Sequence, residues 1–140
     1  MHHILFVCVE NSCRSQMAEG FARTLGKGRV SAWSSGSAPS GRVDPRAIAF
    51  MQERGVDLTA HRSKGLDELP SFYLDYLVTM GCGDACPWVE ARHRVDWDLP
   101  DPKGLDDPGF RKVRDQIERH VEALLAELGR SGTEEDSGGA

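Results

Sequence analysis

The sequence predicts an α/β fold: a single-domain, three-layer sandwich in which a four-stranded parallel sheet carries helices on both faces. Two observations predict it. Short apolar runs alternate with stretches of helical period along the chain, the order that builds parallel strand–helix–strand units. At 140 residues the chain suits one hydrophobic core, and no internal repeat divides it.

Each element has its own signal. Ile4-Leu5-Phe6-Val7 reads as the first strand. A helix follows, with Met17, Ala18, Phe21, Ala22 and Leu25 on one face and Gly26 as its stop. Val30-Ser31-Ala32-Trp33-Ser34 alternates as a second strand and ends at Ser35-Gly36. Asp44-Pro45 supplies an N-cap and a first-turn proline, and Ile48 and Met51 give that helix an inward face before Gly55. Tyr76-Leu77-Val78-Thr79 is the third strand, and a weaker fourth centres on Val95 within 94–97. Asp107-Pro108 opens the last helix, whose stripe is Phe110, Val113, Ile117, Val121, Leu124, Leu125 and Leu128. Residues 1–128 therefore form the folded domain. Residues 129–140 are poor in apolar groups and read as a disordered acidic tail.

Composition narrows the function classes. Much of the net charge of −5 comes from Glu134, Glu135 and Asp136, so the folded part is near neutral and offers no basic surface for nucleic acid. No apolar run is long enough to span a membrane, and the N-terminal run is too short for a signal peptide. A cytoplasmic chain is expected. There the four cysteines read as catalytic or metal-binding rather than as a disulfide frame.

The chemistry concentrates where the first strand meets the first helix. Cys8-Val9-Glu10-Asn11-Ser12-Cys13-Arg14 places a cysteine at the strand exit and an arginine at the helix entry, with Ser15 next. Amides of a tight loop and of a first helical turn suit a tetrahedral oxyanion. The binding set is thus the loop 9–13 (Val9, Glu10, Asn11, Ser12, Cys13) with Arg14, whose guanidinium adds a bidentate fork. The same field favours a thiolate nucleophile at Cys8 over an inert strand cysteine. Asn11 tolerates left-handed backbone, while Ser12 and Ser15 suit donation to a thiolate or a helix cap.

Two further constellations fall after strands three and four, whose carboxyl ends should share an edge with Cys8. Asp101-Pro102 offers a carboxylic acid on a stiffened loop, able to protonate an oxygen expelled by thiolate attack. A simple turn or cap is the other reading, and Asp98, Asp106 and Asp107 are weaker candidates for the acid. Gly81-Cys82-Gly83-Asp84-Ala85-Cys86-Pro87 holds two cysteines that can form a disulfide or attack an adduct on Cys8. They are too few for a closed zinc site. His93 and Cys13 are the only evident extra donors, and Cys13 is committed to the oxyanion loop, so no metal is assigned.

Asn11-Ser12-Cys13-Arg14-Ser15-Gln16-Met17-Ala18-Glu19-Gly20 resembles the signature of the arsenate reductases built on the low-molecular-weight protein tyrosine phosphatase fold. The resemblance is close over residues 4–23 and looser from about 30 to 125, with Asp101-Pro102 matching the acid loop. It implies reduction of arsenate to arsenite, in an arsenic-detoxifying oxidoreductase. Cys8 attacks, Arg14 and the loop bind, Ser15 holds the thiolate and Asp101 protonates the leaving oxygen. An intramolecular thiol then expels arsenite and leaves a redox-active disulfide. Cys82 is expected to attack and Cys86 to resolve, with the reverse order open. No tightly bound cofactor is implied. The external donor is thioredoxin, or glutaredoxin with glutathione, and the chain is expected to be a monomer.

Three differences from the pattern bear on this. Val9-Glu10 puts a carboxylate where such reductases often carry small or neutral residues. Cys82 and Cys86 are more closely spaced than in the thioredoxin-linked members. Some members bind potassium near the positions of Asn11 and Glu19, where Arg62 and Lys64 here argue against the ion. The competing functions are a phosphatase using Cys8 and Asp101 alone, with Tyr73, Trp88 or Trp97 as an aromatic pocket wall, and a non-enzymatic redox sensor.

Overall fold

The computed structural model describes residues 1–66, 73–81 and 89–139, with side-chain surroundings described as far as Gly129. Cys82, Cys86 and Trp88 lie outside the described residues. The elements run β1 (His2–Cys8), α1 (Arg14–Leu25), β2 (Val30–Gly36), α2 (Pro45–Gln52), β3 (Leu74–Thr79), β4 (Ala91–Asp96), a 3-10 turn (Pro102–Gly104) and α3 (Asp107–Gly139). The four strands form one sheet in the order β2-β1-β3-β4, and every pairing is parallel. The molecule therefore has the α/β architecture that the alternating pattern implies.

Strand periodicity sorts β1 into two faces. Ile4, Phe6 and Cys8 join the main core, into which α1, α2 and α3 send Met17, Phe21, Phe50, Met51, Phe110, Val113, Ile117, Val121 and Leu125. Leu5 and Val7 face the other way, packing with Leu74 and Leu77 beneath Val9, Trp33, Leu66 and Val89. Among the described residues, the three helices thus sit on the Ile4–Phe6 face. Cover on the second face comes from Leu66 and Val89, which adjoin the segments outside the described residues, together with Val9, Trp33 and Ala91.

The helix signals hold where the core demands them. Every residue of the α3 stripe from Phe110 to Leu128 is buried. The Asp44 carboxylate caps α2 by accepting from Arg46 N at 2.8 Å, with Pro45 in the first turn. Asp106 does the same for α3, accepting from Gly109 N at 2.9 Å. Leu25 departs from its expected inward place: it is the last residue of α1 and is exposed. Val95 is likewise exposed, because β4 is the sheet's edge strand. The backbone of α3 continues beyond the buried Leu128 as far as Gly139, through the stretch that composition alone marks as a tail.

Register places the chemistry at one edge. Cys8 pairs with Gly36, Val7 with Thr79, and Thr79 with Asp96, so the carboxyl ends of all four strands emerge together. The loops that follow β1 and β4 converge there.

Candidate active site

The loop between β1 and α1 is held from outside by its carbonyls. Cys8 O accepts from Ser37 N at 3.3 Å, Val9 O from Ala38 N at 2.8 Å and Glu10 O from Ser40 N at 3.0 Å and Ser63 Oγ at 2.9 Å. Asn11 O accepts from Gln16 Nε2 at 3.2 Å, and Ser12 O from Asp44 N at 3.0 Å. In a trans peptide the N–H points opposite to the preceding C=O. Turning these carbonyls outward aims the amides of Val9, Glu10, Asn11, Ser12 and Cys13 toward the loop's centre. The N-cap of α1, Cys13, makes no side-chain cap, so neither Ser12 nor Ser15 caps this helix and its first turn keeps its amides for a ligand.

Two backbone positions make the loop possible. Asn11 has φ +50°, the left-handed region that asparagine tolerates better than most residues. A Cβ on Gly36 would stand 2.6 Å from Val9 O and 2.9 Å from Asn11 N, so β2 passes the loop closely only because position 36 has no side chain.

Asn11 also directs hydrogen bonds toward the cysteine. Its Oδ1 accepts from Lys64 N at 2.9 Å and from Gln16 Nε2 at 2.9 Å, which fixes the amide's orientation because a backbone N–H can only donate. Its Nδ2 then donates to Ser15 Oγ at 2.8 Å. Ser15 Oγ lies 2.9 Å from Cys8 Sγ, and with its oxygen occupied by Asn11 its own proton is available to the sulfur. A chain of donors therefore ends on Cys8. His61 Nδ1, 3.0 Å from Gln16 Oε1, extends the chain outward. Burial pushes the pKa of His61 down and keeps its ring neutral, with Glu19 opposing.

Behind this chain lies Glu19, buried in α1. Its Oε1 accepts from Ser34 Oγ at 2.5 Å and lies 3.5 Å from Lys64 Nζ, while its Oε2 meets Arg23 Nε at 3.0 Å. Two fixed cations already answer this carboxylate, so the residues here do not fit a potassium ion.

Arg14 is buried at the start of α1, and its Nη1 donates to Leu99 O at 3.0 Å, on the segment leading to Asp101. Gly81 makes room for it: with φ +76°, a Cβ there would stand 2.7 Å from Arg14 Nη1. Cys8, Val9, Glu10, Ser12, Cys13, Arg14, Asp101 and Lys103 line one cavity of about 180 Å³. It is small, has the buried cation Arg14 and the sulfur of Cys8 at its wall, and is bordered by the carboxyl groups of Asp101 and Glu10: a set suited to thiol attack on a small tetrahedral oxyanion.

The family model for low molecular weight phosphotyrosine protein phosphatases matches residues 3–134. The chain belongs to that family. Its relatives within this phosphatase family include the glutaredoxin arsenate reductase of Synechocystis sp., 43% identical over 131 residues, which covers 91% of this chain and 99% of the relative. Arsenate reductase 1 of Staphylococcus epidermidis is 37% identical over 125 residues, covering 86% of this chain and 93% of the relative. A solved arsenate reductase in the phosphate-binding state superposes with a TM-score of 0.84 at 42% identity, covering 91% of this chain and 99% of that one.

As a member of the phosphatase family, the chain brings Cys8, the loop 9–13, Arg14, Ser15 and Asp101 to one place. Of the four aspartates considered for the acid, Asp101 alone lines the cavity. It also caps the 3-10 turn, its Oδ1 accepting from Lys103 N at 3.0 Å, so the turn reading and the cavity position coincide in one residue. Trp97 does not line the Cys8 cavity: it is buried between Phe6 and His120, with ring centroids 5.7 and 4.9 Å away. Cys13 differs from Cys8 in kind. Its thiol donates to Asp44 Oδ2 at 3.5 Å, and burial above all, with Asp44 adding, raises its pKa to about 12. Sequence reading missed Gln16, Asp44 as a partner of Cys13, and the ties of Lys103 and Arg46 to the acid loop. Gln16 lies inside the signature itself; the others have no local signal.

Proposed function

We propose that this protein reduces arsenate to arsenite, with Cys8 as the nucleophile. The observation that carries the reading is the 43% identity along nearly the whole length of the Synechocystis glutaredoxin arsenate reductase, joined to a cavity scaled to a free oxyanion. The Cys8 thiolate forms a sulfur–arsenic bond while an arsenic–oxygen bond breaks. The departing oxygen takes the proton of Asp101 and leaves as water. A second thiolate, assigned to Cys82 with Cys86 resolving, then attacks the Cys8 sulfur. A disulfide forms, the sulfur–arsenic bond breaks, its electron pair stays on arsenic and arsenite departs. Two thiols supply the two electrons, and an external thiol donor restores them; glutaredoxin is the favoured one, from the name of that relative. The loop amides of Val9–Cys13 and Arg14 hold the anion, and the Ser15 hydroxyl steadies the thiolate.

The family match also supports hydrolysis of phosphomonoesters by Cys8 and Asp101 alone, as a side activity on an isosteric anion. A donor-free first turnover separates the two. Fully reduced protein mixed with arsenate is expected to release one arsenite per chain and to gain one disulfide by mass mapping, both lost in Cys8→Ser. Phosphatase turnover without any arsenite would reverse the assignment.

A further inference from the structure

Glu10 sets a problem for an anion site, since its carboxylate lines the same cavity as Cys8 and Arg14. The structure answers it from the acid loop. Lys103 Nζ forms a salt bridge with Glu10 Oε2, joining residues far apart in sequence across the mouth of the cavity. The hydrogen bond that Lys103 donates to Glu10 raises the lysine's pKa and keeps it protonated. The backbone of the same lysine donates to Asp101 Oδ1 at 3.0 Å. One residue thus holds the acid with its main chain and the oxyanion loop with its side chain.

A second tie works from the opposite side. Arg46, on α2, donates from Nη1 to Leu105 O at 2.7 Å and from Nη2 to Lys103 O at 2.8 Å and Pro102 O at 3.3 Å. Arg46 follows the cap residue Asp44, which binds Ser12 O through its amide and Cys13 through its carboxylate. The acid loop is therefore fastened to the oxyanion loop twice, through Arg46 of α2 and across the open mouth by Lys103 and Glu10.

We propose that Lys103 and Glu10 form a latch that holds Asp101 against the Cys8 cavity, acting as positioning residues for protonation of the leaving oxygen. This rests on the reading of Cys8 as nucleophile and Asp101 as proton donor. The charges of the pair cancel, so the latch adds little to the anion's affinity and acts on the chemical step. Its side chains are 48% and 42% exposed, so solvent screens the pair and its effect is modest.

Oxygen-18 washout from labelled inorganic phosphate tests this without any donor protein. Each reversible attack by Cys8 forms a sulfur–phosphorus bond and releases one oxygen as water with the proton of Asp101. Removing Lys103 alone would bare the Glu10 carboxylate and weaken anion binding, so the informative variant is Glu10→Gln with Lys103→Met. At saturating phosphate the double variant is expected to exchange about two- to fivefold more slowly, with its phosphate affinity within twofold of wild type. Lys103→Arg, which keeps the charge and the reach, should recover most of the exchange rate. Asp101→Asn should lose about 100-fold or more. An unchanged rate in the double variant, with Asp101→Asn slow, overturns the latch. A loss seen only as weaker phosphate binding overturns it too, because the pair would then be an anion contact. An Asp101→Asn variant as fast as wild type, or a wild type without washout, instead removes the underlying reading and the latch with it.

Discussion

Replacing Ser15 by alanine probes the direction of the hydrogen bonds that end on Cys8. Ser15 is fully buried, and its Oγ has Asn11 Nδ2 at 2.8 Å on one side and Cys8 Sγ at 2.9 Å on the other. Asn11 spends its proton on the oxygen, which leaves the hydroxyl proton for the sulfur. A hydrogen bond to a charged acceptor is worth about 1.5–3 kcal/mol, and each 1.4 kcal/mol is about tenfold in an equilibrium. The variant's Cys8 is therefore expected to react up to about 10- to 100-fold more slowly as a nucleophile. A second effect falls on Asn11, whose buried Nδ2 loses its acceptor at a cost of about 1–3 kcal/mol in stability. The assay is the second-order rate of iodoacetamide alkylation at Cys8, read by peptide mass, alongside a urea melt. The expected outcome is a slower reaction together with a lower midpoint. A less stable Ser15→Ala variant that alkylates as fast as wild type would refute the directional argument, and Ser15 would be a packing group only.

Gly81→Ala should weaken inorganic phosphate binding by about tenfold or more while costing only about 1–2 kcal/mol of stability, because its methyl meets Arg14 Nη1 and its φ of +76° is strained. Calorimetric titration with phosphate measures the first effect and urea unfolding the second; unchanged affinity would show that Arg14 does not need that space. His61 should make stability pH-dependent in the direction of an acid-labile group. Burial lowers its pKa in the folded state, so its contribution is complete above the unfolded value of about 6.5 and is lost as the pH falls through the lower folded value. Urea midpoints between about pH 5 and 7.5 should fall on the acid side, and His61→Gln should flatten that slope; equal slopes would refute it.

What was legible in the sequence was what repeats locally. Strand β1, the stripe of α3 and the Asp44-Pro45 start of α2 carry their own period or cap, and the structure follows them. Strand β4 gave a weak signal because an edge strand with exposed side chains has little apolar alternation to show. Cys8, Arg14, Ser15 and Asp101 stood out because their residue types suit one chemistry at a common sheet edge. Lys103 and Arg46 did not, since a lysine and an arginine in loops or first turns are ordinary until the fold brings their partners to them. The Asp44 cap was readable, but not its bond to Cys13, which depends on α2 starting beside the oxyanion loop.

That bond explains how one short loop can hold two buried thiols of opposite character. Cys8 receives a proton donor: Ser15 is fixed by Asn11, and Asn11 by the backbone of Lys64 and by Gln16. Cys13 faces a proton acceptor, the Asp44 carboxylate, in a place where burial already opposes a charged sulfur. A donor stabilises a thiolate and an acceptor stabilises a thiol; at Cys13, burial and Asp44 together outweigh the Ser12 hydroxyl 3.6 Å away and keep the thiol protonated. The arrangement also avoids a second thiolate beside the cavity, which would repel the oxyanion and compete for Arg14. Instead, the protonated Cys13 ties the loop to the helix whose Arg46 carries the acid loop. In the proposed mechanism, Cys13 thereby helps to hold Asp101 near the attacking Cys8.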